Sequence, residues 1–484
     1  MPRHPEPLDR RPREGRQSPG QSEASRGSVG RWTLLIIATG VSVGPLDSAC
    51  NIAFPAIVTA FNVPVAAIRW VVIAYVLTYA SLLLGFGRLG DLFGHRRLFV
   101  LGLFWSAGAF ALCAWAPNFG WLLAARILQG VGAAMVLSCG PALATLSFPA
   151  EHRAQVLGLY MFAFSAAHAA GPIVGALLVD AYGWPAVFWF RVPIALGSAV
   201  LVLGILRAAP APVVREPYDT PGAVALACAL ACLLLFMNLA SSHGLGSPAA
   251  LSALLLGCLG AGLFVARNRR GQAALIDLSL FRSRAFCAVN AAHVLANLAH
   301  FIVFLLVPFF LVDVHGVPIA LGGLLLAHQP IGMALAAPIA GRLVPRLGAV
   351  RVGFAGMLIS GSGLAAIVGW SDSTLLPALA LTLLVQGFGY GLFQVASIDA
   401  VMAALGRHRH GVGGSLNMLT RTIGVVLGAT AGSLLFSHWS GPEGASAPGF
   451  QKTFVVATGV AFLAAAAVAL ARRQSSARGS APQR

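Results

Sequence analysis

Residues 87–97 read GRLGDLFGHRR, a short polar stretch between two long apolar runs that end at Phe86 and begin at Leu98. The stretch carries one carboxylate, Asp91, and three arginines, Arg88, Arg96 and Arg97. Glycines at 87, 90 and 94 permit a tight turn and close approach of neighbouring helices. A hairpin this short and this basic between two membrane-length runs reads as a cytoplasmic connection.

The rest of the chain agrees. Of its 484 residues 58% are hydrophobic and only 10% charged. Continuous runs of about 20 apolar residues, enough to cross a ~30 Å hydrocarbon core, recur along almost its whole length. The runs do not alternate as the strands of a membrane β-barrel would. The net charge of +17 does not point to nucleic acid, because 27 of the 32 basic residues fall in segments on one side of the expected membrane. That asymmetry places both termini in the cytoplasm. All seven cysteines lie in apolar runs and read as buried free thiols. Cys228 and Cys232 have helical spacing but no further ligands for a metal.

About fourteen spans are expected, with these divisions: 1–31 a disordered basic tail, 32–206 six spans, 207–284 a linker with two spans, 285–471 six spans, and 472–484 a second tail. The two sixes repeat each other. GRL at 87–89 with Gly94 recurs as GRL at 341–343 with Gly348, an offset of 254. QGVG at 129–132 recurs as QGFG at 386–389, an offset of 257. Gly171 recurs as Gly424, His168 aligns with Arg421, and Pro55 recurs as Pro308, all at 253. Near-constant offsets imply two halves in the same orientation. The spans within 221–266 have no counterpart and read as an inserted pair.

The 87–97 stretch closely resembles the loop signature of major facilitator superfamily transporters, with His95 where that family usually has Arg or Lys. LDSACNIAFP (46–55), LAARILQGVGAA (123–134), GPIVGA (171–176), LIDLSLFRSRAF (275–286) and NMLTRTIGVVLG (417–428) are similar to elements of its fourteen-span drug/proton antiporters, the EmrB/QacA type. Departures are Ala167 and Ala176 in place of glycines, and Arg191 where the family usually has Asn. The resemblance implies an all-α polytopic membrane protein with two six-helix bundles. It also implies a proton-coupled antiporter of the cell membrane that exports small hydrophobic or amphipathic compounds such as drugs or antibiotics. Protons are then the coupling ion, with no cofactor. The expected partners are a small-molecule substrate and the lipid bilayer, and a single copy is the expected working unit.

Asp47 is the one carboxylate deep inside a span, where an ionised group is costly unless paired. Arg126, also inside a span, needs a partner because guanidinium stays charged. The first span is the natural source of that partner, through Asp47 or Asn51, and proton coupling is assigned to Asp47 and Arg126. Gating is assigned to Gly87, Arg88, Asp91, Gly94, Arg96 and Arg97, with Asp91 accepting from a neighbouring helix N-terminus or the loop arginines. Gly171, Pro172 and Gly175 form the antiporter element implied by the resemblance. Asn51, Gln129, His168, Gln386, Asn417 and Arg421 are the cavity candidates. Asp399, near a span end, is expected to meet water or the Arg407 region. A proton-coupled symporter or facilitator for a metabolite is the second reading, since a fold does not fix direction. No phosphate-binding glycine loop, metal cluster or Ser/His/Asp set is visible, so no catalytic residue is assigned and an enzyme is not expected. His408 and His410 in GRHRHG read as a basic loop.

Overall fold

Thirteen long helices follow one broken segment in the computed structural model, which describes residues 36–63, 65–205, 218–244, 246–270, 278–405, 410–440 and 447–479. The expected tail 1–31 and the Arg407 neighbourhood lie outside the described residues. The helices are α1 (Arg69–Phe93), α2 (His95–Ala114), α3 (Phe119–Leu146), α4 (Arg153–Tyr182), α5 (Arg191–Ile205), α6 (Thr220–His243) and α7 (Pro248–Arg270). They continue with α8 (Arg284–Phe309), α9 (His328–Leu347), α10 (Ala349–Val368), α11 (Leu376–Leu405), α12 (His410–Ser440) and α13 (Ala447–Gly479). Each is long and apolar enough to cross a membrane once the eight-residue lead-in Ile319–Leu326 is joined to α9 and Ala186–Trp189 to α5. Among the described residues there is no strand.

The first span is not the continuous helix that its apolar run suggests. Residues 36–42 are helical, Pro45–Ser48 form a tight 3-10 turn, and short helices Ala49–Ile52 and Phe54–Phe61 follow. Pro45 and Pro55 have no N–H to donate, so each opens a new helical piece instead of continuing the last. The turn presents the Asp47 side chain from an irregular backbone, tolerable at membrane depth because protein surrounds it.

The 87–97 stretch differs from a loop as well. α1 runs through it to Phe93, and the only non-helical residue before α2 is Gly94, at φ +96°. The second half repeats this: α9 ends at Leu347, Gly348 sits at φ +86°, and α10 begins at Ala349. Both turns need a backbone conformation that only glycine adopts freely. At the other end of the chain, α13 continues past residue 471 into the segment read as a tail, whose alanines and arginines favour helix.

The segment before α1 and α1–α5 pack as one bundle, and α8–α13 as a second. The inserted α6 and α7 pack on each other, and α6 lies against both α1 and α12, across the seam between bundles. Large apolar side chains such as Leu177, Val200, Leu255, Leu259, Leu381 and Leu463 point outward. A bare apolar surface of this extent suits lipid contact. The thiols divide accordingly: Cys50, Cys113 and Cys139 are buried, whereas Cys228 and Cys258 are exposed and Cys232 and Cys287 are half-buried on outward helix faces. The expectation of seven buried thiols fails for these four, because an apolar run shows burial from water but not burial in protein.

Candidate functional site

A cavity of about 280 Å³ lies between the two bundles. Asp47 reaches its wall from the 3-10 turn of the broken segment. Arg126 of α3 grips that carboxylate with both ends of its fork, Nη1 donating to Oδ1 at 2.7 Å and Nη2 to Oδ2 at 2.8 Å. Its Nε donates to the Val71 carbonyl at 2.9 Å, tying α1 to the same point. Gln129, one turn along α3, donates to Asp47 Oδ1 at 2.9 Å and accepts from Arg126 Nη1 at 2.7 Å. A bidentate, hydrogen-bonded pair is the geometry that can offset the cost of burying both charges.

A second guanidinium completes the group. Arg191, the first residue of α5, donates from Nη1 to Asp47 Oδ1 at 2.6 Å and from Nε to the Val187 carbonyl at 3.0 Å. Its Nη2 is buried without a hydrogen-bond partner. Arg126 and Arg191 are 1% and 0% exposed, so one carboxylate answers two cations that water does not reach. Aromatic faces supply the remaining contact: Arg126 lies 4.5 Å above the Tyr75 ring and Arg191 4.3 Å above that of Phe110. The sequence reading offered Asp47 or Asn51 as the partner of Arg126 but gave Arg191 no role. The available signal was an arginine inside an apolar run at a position where the resembling family has Asn.

The second half carries a neutral counterpart. Under the repeat, Asp47 aligns with His300, Tyr75 with Gln329, and Gln129 with Gln386. These three side chains do come together. Gln329 Nε2 donates to Gln386 Oε1 at 2.9 Å and lies 3.4 Å from His300 Nδ1, while Gln386 Nε2 donates to Ser360 at 3.2 Å. The His300 ring stacks on Tyr390 with centroids 3.7 Å apart. Tyr390 in turn donates to Asn297 at 2.5 Å and accepts from Gln394 at 2.7 Å, and Gln394 meets His293 at 2.5 Å.

Of the six cavity candidates, Asn51, His168 and Arg421 line the cavity. Arg421 sits 4.6 Å above the Phe164 ring. Gln129 and Gln386 lie behind the wall, spent on Asp47 and on Gln329. Asn417 is a correction: it is 4% exposed, off the cavity wall, because its helix turns that face toward packed neighbours.

The residues that the sequence reading assigned to gating lie at the basic ends of the helices, where α1 meets α12. Asp91 Oδ1 accepts from the Gly411 amide at 2.8 Å and Oδ2 from the Val412 amide at 3.2 Å, first-turn donors of α12 that have no partner within their own helix. His95 Nε2 lies 3.1 Å from Asp91 Oδ1. Of the loop arginines, Arg96 donates instead to the Leu203 carbonyl at 2.7 Å, Arg88 is buried and Arg97 exposed. A Cβ on Gly87 would stand 2.6 Å from the Gly411 carbonyl, so glycine there allows α1 and α12 to touch. The same end is closed by Thr145 to His410 at 3.1 Å and by Arg153 to Asp399 at 2.7 Å. Asp399 thus has Arg153 as a partner; the expected Arg407 region lies outside the described residues. Gly171 and Gly175 of α4 lie against Ser48 and Ala49, a Cβ on Gly175 being 2.9 Å from the Ala49 carbonyl. Together with Pro172, which sits inside α4, they seat the turn that carries Asp47. Among the described residues no three His, Cys, Asp or Glu side chains come together as a metal site.

Residues 36–327 and 289–484 match the family described as Major Facilitator Superfamily. The chain is 32% identical to "Riboflavin transporter RibZ" of Clostridioides difficile over 84% of this chain and 89% of that one. It is 31% identical to the "Tetracenomycin C resistance and export protein" of Streptomyces glaucescens, covering 84% and 76%, and 29% identical to the "Methylenomycin A resistance protein" of Bacillus subtilis, covering 84% and 88%. Among solved structures, the human organic anion transporter MFSD10 superposes with a TM-score of 0.65 at 18% identity, over 91% of this chain and 99% of that one, a likeness of fold alone.

Proposed function

Because this chain belongs to the Major Facilitator Superfamily of transporters, we propose that it is a proton-coupled antiporter exporting small hydrophobic or amphipathic compounds, such as drugs or antibiotics, by alternating access. The observation that carries the reading is Asp47: a carboxylate at a cavity wall, held by two arginines that reach it from different helices. Changing the distance between Asp47 and those cations as the bundles rock changes how firmly it holds a proton. Export is supported by the relatives whose names record export of, or resistance to, natural antibiotics. The basic end, where Asp91 closes α1 on α12, is the cytoplasmic one on this reading, and both termini lie there. Protons are the coupling ion, no cofactor is needed, and a single copy in the cell membrane is the working unit.

A second reading is uptake or facilitated passage of a metabolite, favoured by the relative named as a riboflavin transporter. Purified protein in liposomes separates the two. A compound panel is followed with an imposed pH gradient and at equal pH, in wild type and Asp47→Asn. The antiporter reading expects gradient-driven accumulation that Asp47→Asn abolishes, while exchange at equal pH partly persists. Undiminished concentrative transport in Asp47→Asn removes Asp47 from coupling.

A further inference from the structure

Charge around the cavity is unbalanced. Its only charged lining residues among those described are Asp47 and Arg421. Asp47 is already met by Arg126 and Arg191, so no anionic capacity is left at that wall. Arg421, on the opposite bundle, has no carboxylate within ion-pair distance among the described residues. These four groups sum to an excess of two positive charges. His168 and His300 also line the space, and protonating either one adds to the excess. Arg421 stands 4.6 Å above the Phe164 ring and has a side-chain hydrogen bond with Tyr390, a neutral partner that takes only part of its five N–H donors. Tyr75, Tyr79, Phe301 and Phe304 supply the rest of an aromatic wall.

We infer that the substrates of this cavity are planar aromatic anions, with a carboxylate or phenolate placed on Arg421 and the ring system among Phe164, Phe301 and Phe304. The inference rests on the cavity's being the transport site and names what that site takes. A neutral ligand would displace water from Arg421 and leave its charge answered by neutral partners alone, which is costly. A cationic one would add a third excess charge and find no free carboxylate. An anion replaces the lost hydration with charge-assisted, potentially bidentate hydrogen bonds. The volume is slightly under the ~300–1,000 Å³ of drug-sized sites, which favours two or three fused rings over larger frameworks.

The test is binding of labelled naphthoate to the purified full-length protein, competed with naphthamide and naphthylmethylammonium, which share its ring and differ in charge. Naphthoate is expected to outbind the amide by at least about tenfold and the ammonium by more. Arg421→Gln should bring acid and amide to parity, and Arg421→Lys should keep the preference while weakening both. If Arg421→Gln does not fold, the wild-type comparison of the three probes decides by itself. Equal affinity for acid and amide, preference for the ammonium, or no naphthoate binding at millimolar concentration overturns the inference. Preference for the acid surviving in Arg421→Gln removes Arg421 as its site and overturns it as well. The measurement uses no pH gradient. Failure of proton coupling in liposomes with acid preference intact therefore sinks the antiport reading alone.

Discussion

Replacing Asp91 with Asn tests whether the contact between α1 and α12 holds the basic end closed. The carboxylate accepts two amides of the α12 N-terminus, at 2.8 and 3.2 Å, and has His95 at 3.1 Å. Asn has nearly the same shape but one acceptor, so it meets one of the two amides with an N–H of its own. Losing one hydrogen bond to a charged group costs about 1.5–3 kcal/mol in the closed state. Losing the negative charge at a helix N-terminus costs a further ~0.3–1 kcal/mol. In the open state water serves both sides, so nearly all of the loss falls on the closed state. Taking about 2 kcal/mol, the closed-to-open ratio falls roughly 30-fold. Cys139 reports this, since it is buried beneath the contact, 2.9 Å from where a Cβ on Gly90 would stand. With the other cysteines replaced, its labelling by a membrane-impermeant maleimide added to the basic side should quicken by that factor in Asp91→Asn. An unchanged rate, in protein that still binds ligand, refutes the latch.

Two further expectations follow from particular contacts. Asp47 retains one cation if either arginine is lost and none if both are, so Arg126→Gln and Arg191→Gln should each destabilise moderately, and the double variant by ~0.5–3 kcal/mol more than their sum; additive losses, measured by chemical unfolding in mixed micelles, would mean that each arginine serves only its aromatic neighbour. Asp219 caps α6 at Gly222 and pairs with Arg267; burial alone would push its carboxyl up, but those partners outweigh it and hold it below the usual range. A depressed carboxyl stabilises at pH above its unfolded value and loses that contribution as pH falls below about 4, so the protection of the Gly222 amide against hydrogen exchange, taken relative to an unstructured amide at the same pH, should fall on acidification through that range and be low throughout in Asp219→Ala.

Some of this site is legible in the chain and some is not, for physical reasons. An unpaired charge in hydrocarbon is so costly that Asp47 and Arg126 had to meet something, and few candidates existed. The helix N-terminus as Asp91's partner follows from the same economy of donors. The repeat is visible because symmetric turns need the same residue, as Gly94 and Gly348 do. Arg191 as Asp47's third contact depends on how α5 packs on α2 at one depth, and spacing within a helix does not encode that packing. Asn417 illustrates the same limit, since a polar residue in a span shows that it needs partners but not on which side they lie. The break in the first span was written in Pro45 and Pro55, yet hydropathy averages over both and reports one run.

The repeat also explains why the two bundles need not do the same work. Asp47, Tyr75 and Gln129 on one side, and His300, Gln329 and Gln386 on the other, occupy matching places on matching helices. Each glutamine follows from the repeated QG pair, whose glycine lets α3 approach α1 and α11 approach α9: a Cβ on Gly130 would stand 2.8 Å from the Tyr75 carbonyl, and Gly387 lies against that of Gln329. The frame of α1 with α3 and of α9 with α11 is thus shared, whereas Asp47 stands on a 3-10 turn and His300 within the unbroken α8. In the first half the frame holds a carboxylate and two guanidiniums, groups whose mutual energy changes steeply with distance. In the second it holds amides and an imidazole whose hydrogen bonds exchange partners at little net cost. If the bundles rock as the proposed alternating access requires, the charge balance changes far more on the Asp47 side than on the His300 side. On the proposed antiport reading, that asymmetry, with Arg421 facing the cavity from the second half, assigns proton handling to one wall and leaves the other to meet the substrate.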